Sequence, residues 1–85
     1  MTDENLIAEV RTVVKQCAGL KTDADTLDVD ADLYAAGMTS FASVEVMLGL
    51  EEQFGILFPQ DLIQRDSFKT ITLLADTVSQ IRARG

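Results

Sequence analysis

Apolar residues recur at helical spacing over residues 3–18. Leu6, Ile7, Val10, Val13, Val14 and Cys17 share one side, and Glu9, Arg11, Thr12, Lys15 and Gln16 share the other. The pattern predicts an amphipathic helix that stops at Gly19. Cys17 lies in the apolar stripe and reads as a core residue, because a free cysteine behaves as a small buried hydrophobe. Residues 19–38 have no clear period and are rich in Asp, with Leu27, Val29, Leu33 and Tyr34 as apolar anchors. A connection of that length inside a small domain is often functional. Gly37 breaks the chain, and a second helix is expected from Ser40 to about Phe54, ended by Gly55. Pro59 suits the first turn of a short third helix through Ile63 or Gln64. The last helix is expected after Asp66 or Ser67, either of which would cap it, turning Phe68, Ile71, Leu74, Ala75, Val78 and Ile81 inward. Arg82 and Arg84 near its end complement the helix dipole. The expected fold is all-α: a four-helix bundle with a long first loop and a short third helix, forming one domain over residues 1–85.

The second helix carries more apolar surface than a plain bundle needs. Val46, Met47, Leu50 and Phe54 gather with Ser43 on one side as the core stripe, and Glu45, Glu51 and Glu52 lie opposite. Phe41, Val44 and Leu48 fall on that acidic side, and Phe41, Glu45, Leu48 and Glu52 lie within about 60° of one another on the helical wheel. Either the long loop or the short third helix covers these residues, or they form a docking surface. In the second case apolar contacts supply affinity and carboxylates steer a basic partner.

Composition narrows the function. The chain has 85 residues, 47% of them apolar, which allows a compact core. It has no His and one Cys, so the usual general base, the commonest metal ligand and any intramolecular disulfide are missing. No catalytic residue and no metal site are expected, and an enzyme ranks last among the readings. Asp28, Asp30 and Asp32 alternate as in a calcium loop, but Leu33 stands where the turn glycine belongs and Thr39 where the bidentate Glu belongs. The net charge of −7 disfavours nucleic acid and anionic membrane as partners. Asp3 and Glu4 stand where a signal peptide would be basic, and the expected location is cytoplasmic.

Ser40 is the residue with candidate chemistry. A Ser at a helix start is ordinarily an N-cap, but Thr39 is able to cap in its place and leave the Ser40 hydroxyl projecting outward. A phosphate added there would meet unpaired backbone N–H groups and the positive end of the helix dipole. Ser43, one turn on, falls on the core stripe and is a poor site for modification; Thr39 is the next candidate.

The run Gly37-Met38-Thr39-Ser40-Phe41, then Val44-Glu45-Val46-Met47 and Leu50-Glu51-Glu52-Gln53-Phe54, resembles the acyl carrier proteins, as does Phe58-Pro59 at the third helix. The resemblance implies that Ser40 bears 4′-phosphopantetheine and that acyl or aminoacyl groups ride on it as thioesters. It places Glu45, Glu51 and Glu52 at acidic positions that meet basic partner enzymes, and Phe41 at the apolar position after the modified serine. The implied partners are a phosphopantetheinyl transferase, a loading ligase and downstream transferases, visited by a monomer. The bundle interior, lined by Val46, Met47, Leu50, Phe54, Leu62 and Ile71 among others, either shelters an acyl chain or is an ordinary filled core.

Three departures mark this chain: Thr39 replaces the usual Asp, Ala42 removes an early carboxylate, and Phe41 is bulkier than the usual Leu. The stretch Asp32–Val44, with Phe58-Pro59 and Arg65-Asp66-Ser67-Phe68, is similar to small bacterial aminoacyl carrier proteins, loaded by synthetase-like amino acid ligases. The alternatives are thus a fatty acid carrier, an aminoacyl carrier, or an unmodified acidic helical adaptor.

Overall fold

The computed structural model describes residues 4–84. Helix α1 spans Glu4–Cys17 and buries Leu6, Val10, Val13 and Val14, as its periodicity predicts. Ile7 and Cys17 are only half-buried at the edge of that stripe, so Cys17 borders the core and is not within it. The predicted start at Asp3 lies outside the described residues.

Helix α2 spans Ser40–Phe54, matching its predicted limits, and ends at Gly55 in the left-handed conformation. Val46 and Leu50 are fully buried, while Met47 and Phe54 pack half-buried against the core. Gly49 lies where α2 meets α1. A Cβ there would stand 2.9 Å from Val13 Cγ1 and 3.0 Å from Cys17 Sγ, so the absence of a side chain sets how closely the two helices approach.

The four-helix expectation is met in part. Among the described residues there are three α-helices and no strand; a short 3-10 turn at Gln60–Leu62 stands where the third helix is predicted, and a second, Arg65–Phe68, occupies the approach to the last helix. Pro59 offers no side-chain cap and the turn beyond it ends by Ile63, whose ψ of 78° is not helical. The last helix, α3, spans Ile71–Arg84 and begins later than predicted. Its cap is Thr70, whose Oγ1 accepts from Leu73 N at 3.0 Å, in place of Asp66 or Ser67. Phe68 therefore sits before α3, yet it is buried and stacks on Phe58 with ring centroids 5.7 Å apart. Ile71, Leu74, Ala75, Val78 and Ile81 face inward as expected.

The long connection is tied down by backbone partners. Leu33 N donates to Lys69 O at 2.7 Å, Thr72 N to Val29 O at 3.0 Å and Lys21 N to Ala36 O at 3.0 Å. Arg11, on the polar side of α1, donates from Nη1 to Ala24 O at 2.6 Å and to Leu27 O at 2.7 Å. The alternating aspartates are turn-makers: Asp28 accepts from Asp30 N, and Asp32 from Tyr34 N, each at 2.9 Å. Among the described residues no cluster of His, Cys, Asp or Glu is placed to hold a metal, and no helix is long and apolar enough to cross a membrane.

Two stability outcomes are expected. Arg11→Met removes both charge-assisted bonds to the connection, lowering the unfolding free energy by about 2 kcal/mol and speeding amide exchange around residues 24–27. Gly49→Ala gains about 1 kcal/mol of helix propensity but meets an overpacking cost of about 1–3 kcal/mol, for a net loss near 1 kcal/mol. Gly49→Val, bulkier and a poorer helix former, should lose more in urea denaturation.

Candidate functional site

Thr39 and Ser40 divide two roles at the head of α2. Thr39 is extended, and its Oγ1 accepts from Ala42 N at 3.0 Å, which completes the N-cap. Ser40 is the first helical residue and is exposed, and among the described residues its hydroxyl has no hydrogen-bond partner. Ser43 is half-buried and donates from Oγ to Ser40 O at 2.6 Å, which ties its hydroxyl back to the helix backbone. The first turn of α2 contains no acidic residue, so Thr39 and Ala42 leave no carboxylate there to repel an anion on Ser40. The first N–H groups of any helix lack intrahelical acceptors and carry partial positive charge. A phosphodiester on Ser40 Oγ fits this setting: the hydroxyl is accessible, the dipole is favourable and like charge is absent from that turn.

The face predicted for docking is uncovered. Phe41 is 66% exposed, Val44 50% and Leu48 54%, so neither the long connection nor the 3-10 turns close over them. Glu45 and Glu52 are exposed on the same side. Glu51 is placed differently. It is half-buried, and its Oε2 accepts from Phe58 N at 2.8 Å, tying α2 to the chain after Gly55.

Beside Ser40 runs an open groove of about 230 Å³, lined in part by Val44, Met47, Ile63 and Phe68, with Tyr34 and Arg65 along it. The Arg65 guanidinium lies 3.9 Å from the centroid of the Tyr34 ring, and the Tyr34 hydroxyl donates to Arg65 O at 2.9 Å. Periodicity singles out neither residue for a role at the site, beyond reading Tyr34 as an apolar anchor. A larger groove of about 650 Å³ opens at the far end of α2, between Phe54, Leu57, Ile81 and Arg82, and does not reach Ser40. Of the residues expected to line an acyl-sheltering interior, Val46, Leu50 and Ile71 are fully buried, and Met47 alone lines the groove beside Ser40.

Comparisons with known proteins bear on the family of the chain. The family model of the phosphopantetheine attachment site matches residues 8–78. An aminoacyl carrier protein of Agrobacterium fabrum is 49% identical over 74 residues, covering 87% of this chain and 89% of the relative. Among solved structures, the chain is similar to one in the complex of an engineered Bradyrhizobium japonicum glycine:[carrier protein] ligase with carrier protein from Agrobacterium tumefaciens and AMP. That match has a TM-score of 0.83 and 48% identity, covering 86% of this chain and 97% of the other. The corresponding complex with ATP gives a TM-score of 0.86 at 47% identity, covering 89% and 99%. A solution structure of an Agrobacterium tumefaciens protein gives 0.73 at 47% identity, covering 91% and 93%. With an accessible serine at a capped helix head and a family match across most of its length, the chain belongs to the carrier proteins that bear 4′-phosphopantetheine, and it is not an enzyme.

Proposed function

We propose that Ser40 Oγ is the attachment point of the phosphopantetheine arm, and that the protein carries an amino acid as a thioester and presents it to partner enzymes. The observation that carries the proposal is the division of labour at the helix head: Thr39 makes the cap and Ser40 is left exposed without a partner. When attached, the arm supplies a terminal thiol for the cargo. The chain itself supplies a rigid helix terminus that accepts the charge of the linkage. It also supplies a recognition face of Phe41, Val44, Leu48, Glu45 and Glu52, with Glu51 contributing whatever charge its bond to Phe58 leaves available.

Three features favour an aminoacyl cargo over a long acyl chain. The groove beside Ser40 is small and open, below the roughly 300 Å³ at which ligand-enclosing pockets begin. Val46, Leu50 and Ile71 are packed at zero exposure within the bundle. A relative of nearly half-identical sequence is an aminoacyl carrier protein, and a solved neighbour is a complex of glycine:[carrier protein] ligase with carrier protein. A phosphopantetheinyl transferase and an amino acid ligase of that class, each with a basic docking surface, are the proposed partners, followed by transferases that take the cargo onward.

Intact mass after incubation with coenzyme A and a broad-specificity phosphopantetheinyl transferase tests the site. Wild type should gain one arm and Ser40→Ala none. Adding ATP, glycine and an amino acid:carrier ligase should then add one amino acid to the armed protein. Transfer of fatty acids in place of amino acids would overturn the aminoacyl reading. A wild type left bare by every transferase tried would instead support an unmodified adaptor.

The thiol chemistry of the chain gives a second test. Burial pushes the Cys17 thiol up from its ordinary range, and the nearby carboxylates of Glu45 and Glu52 push it further. At neutral pH Cys17 thus holds little thiolate and does not compete with the arm for cargo. A disulfide-exchange reagent at pH 7.5 should label the arm of the modified protein quickly. It should label Cys17 of the unmodified protein several times more slowly than free cysteine, with a rate that climbs as pH rises. Equal labelling of Cys17 and free cysteine would refute this account.

A further inference from the structure

We infer that Arg65, laid on the ring of Tyr34, is the cation that receives the phosphodiester joining the arm to the protein; the inference rests on Ser40 being the modified residue. Ser40 and Arg65 line the same groove, one from the head of α2 and the other from the 3-10 turn Arg65–Phe68. The arginine is held at two points by one neighbour. Its guanidinium stacks 3.9 Å from the Tyr34 centroid, and its carbonyl accepts from the Tyr34 hydroxyl at 2.9 Å. Backbone and side chain are therefore positioned together, and less side-chain entropy remains to be lost when an anion binds.

A guanidinium held over an aromatic ring by cation–π attraction keeps N–H donors available for a phosphate. Those donors are not committed elsewhere to an ion pair. Among the described residues the ion pairs are Lys15–Asp25 and Arg84–Asp61, and Arg65 takes part in neither. In a chain with 14 acidic and seven basic side chains, an arginine outside those pairs and beside an exposed serine is placed for an added anion. The first turn of α2 adds no carboxylate to repel that anion. Arg65 would act as a positioning residue: it anchors the root of the arm in the groove between visits to partners, and a partner's basic surface competes it away.

The test is phosphorus NMR on the protein armed with coenzyme A and a transferase, each sample first checked by intact mass. In wild type at about 0.01 M salt, the phosphodiester resonance should be displaced and should move progressively as salt rises to about 1 M, because screening weakens the contact. Arg65→Gln should start at the high-salt position and show no salt-dependent shift, while Arg65→Lys should retain part of the response. Tyr34→Leu, which frees the guanidinium from its platform, should reduce the displacement without abolishing it. The Arg65 Nε resonance should shift on arming wild type and stay still in Ser40→Ala. The same phosphorus position and salt response in wild type and Arg65→Gln would overturn the inference alone, with the arm present by mass. Absence of an arm from wild type would overturn the Ser40 reading and this inference with it. The salt titration of wild type involves no substitution, so a flat response there counts against the inference whatever the variants' stability.

Discussion

Everything at the head of α2 depends on how the connection between α1 and α2 satisfies its own backbone. An irregular segment packed against a small core must find partners for its amides and carbonyls, because leaving one buried and unpaired costs about 1–3 kcal/mol. Here the partners come from three directions. Arg11 reaches out from α1 to two carbonyls, the residue before Thr70 accepts from Leu33, and Thr72 reaches Val29 from the start of α3. The last link is local: Met38 is buried at 3% exposure, and its N–H donates to Leu33 O at 3.0 Å. Thr39 and Ser40 follow at once, so the serine is delivered from an anchored position and not from the end of a loose loop.

That anchoring separates display from stability. The core is made by Val10, Val14, Val46, Leu50, Ile71, Leu74 and Val78, none of which needs Ser40. Capping of α2 is done by Thr39, so the exposed hydroxyl carries no folding duty. A residue freed in this way accepts a bulky modification without a loss of packing. Thr39 contributes the cap without adding a negative charge to the helix head.

The sequence was most readable where the deciding interactions are local. The limits of α2 follow from Thr39, Ser40 and Gly55, all within a few residues of the ends they define. Helical periodicity places Phe41, Val44 and Leu48 on the acidic side of α2, and their exposure needed the structure to decide it. Legibility failed where distant contacts choose between local options. Asp66, Ser67 and Thr70 are all credible caps, and the stacking of Phe68 on Phe58 holds residues 65–68 in a separate turn and leaves Thr70 the task. Arg11 and Glu51 look like ordinary solvated charges on a helical wheel. The structure shows each turned to backbone, Arg11 to carbonyls 13 and 16 residues away and Glu51 to an N–H seven residues on. The stack of Arg65 on Tyr34 spans 31 residues and leaves no trace in any periodic pattern.

The uncovered side of α2 has an effect on copies of the same chain as well as on partners. Large exposed apolar residues ordinarily invite like surfaces to stick together. Two molecules that met through Phe41, Val44 and Leu48 would also press Glu45 and Glu52 of one against Glu45 and Glu52 of the other, and α2 has no basic residue in its sequence to relieve the contact. The carboxylates thereby make the surface selective by sign: it repels its own image and welcomes a cationic counterpart.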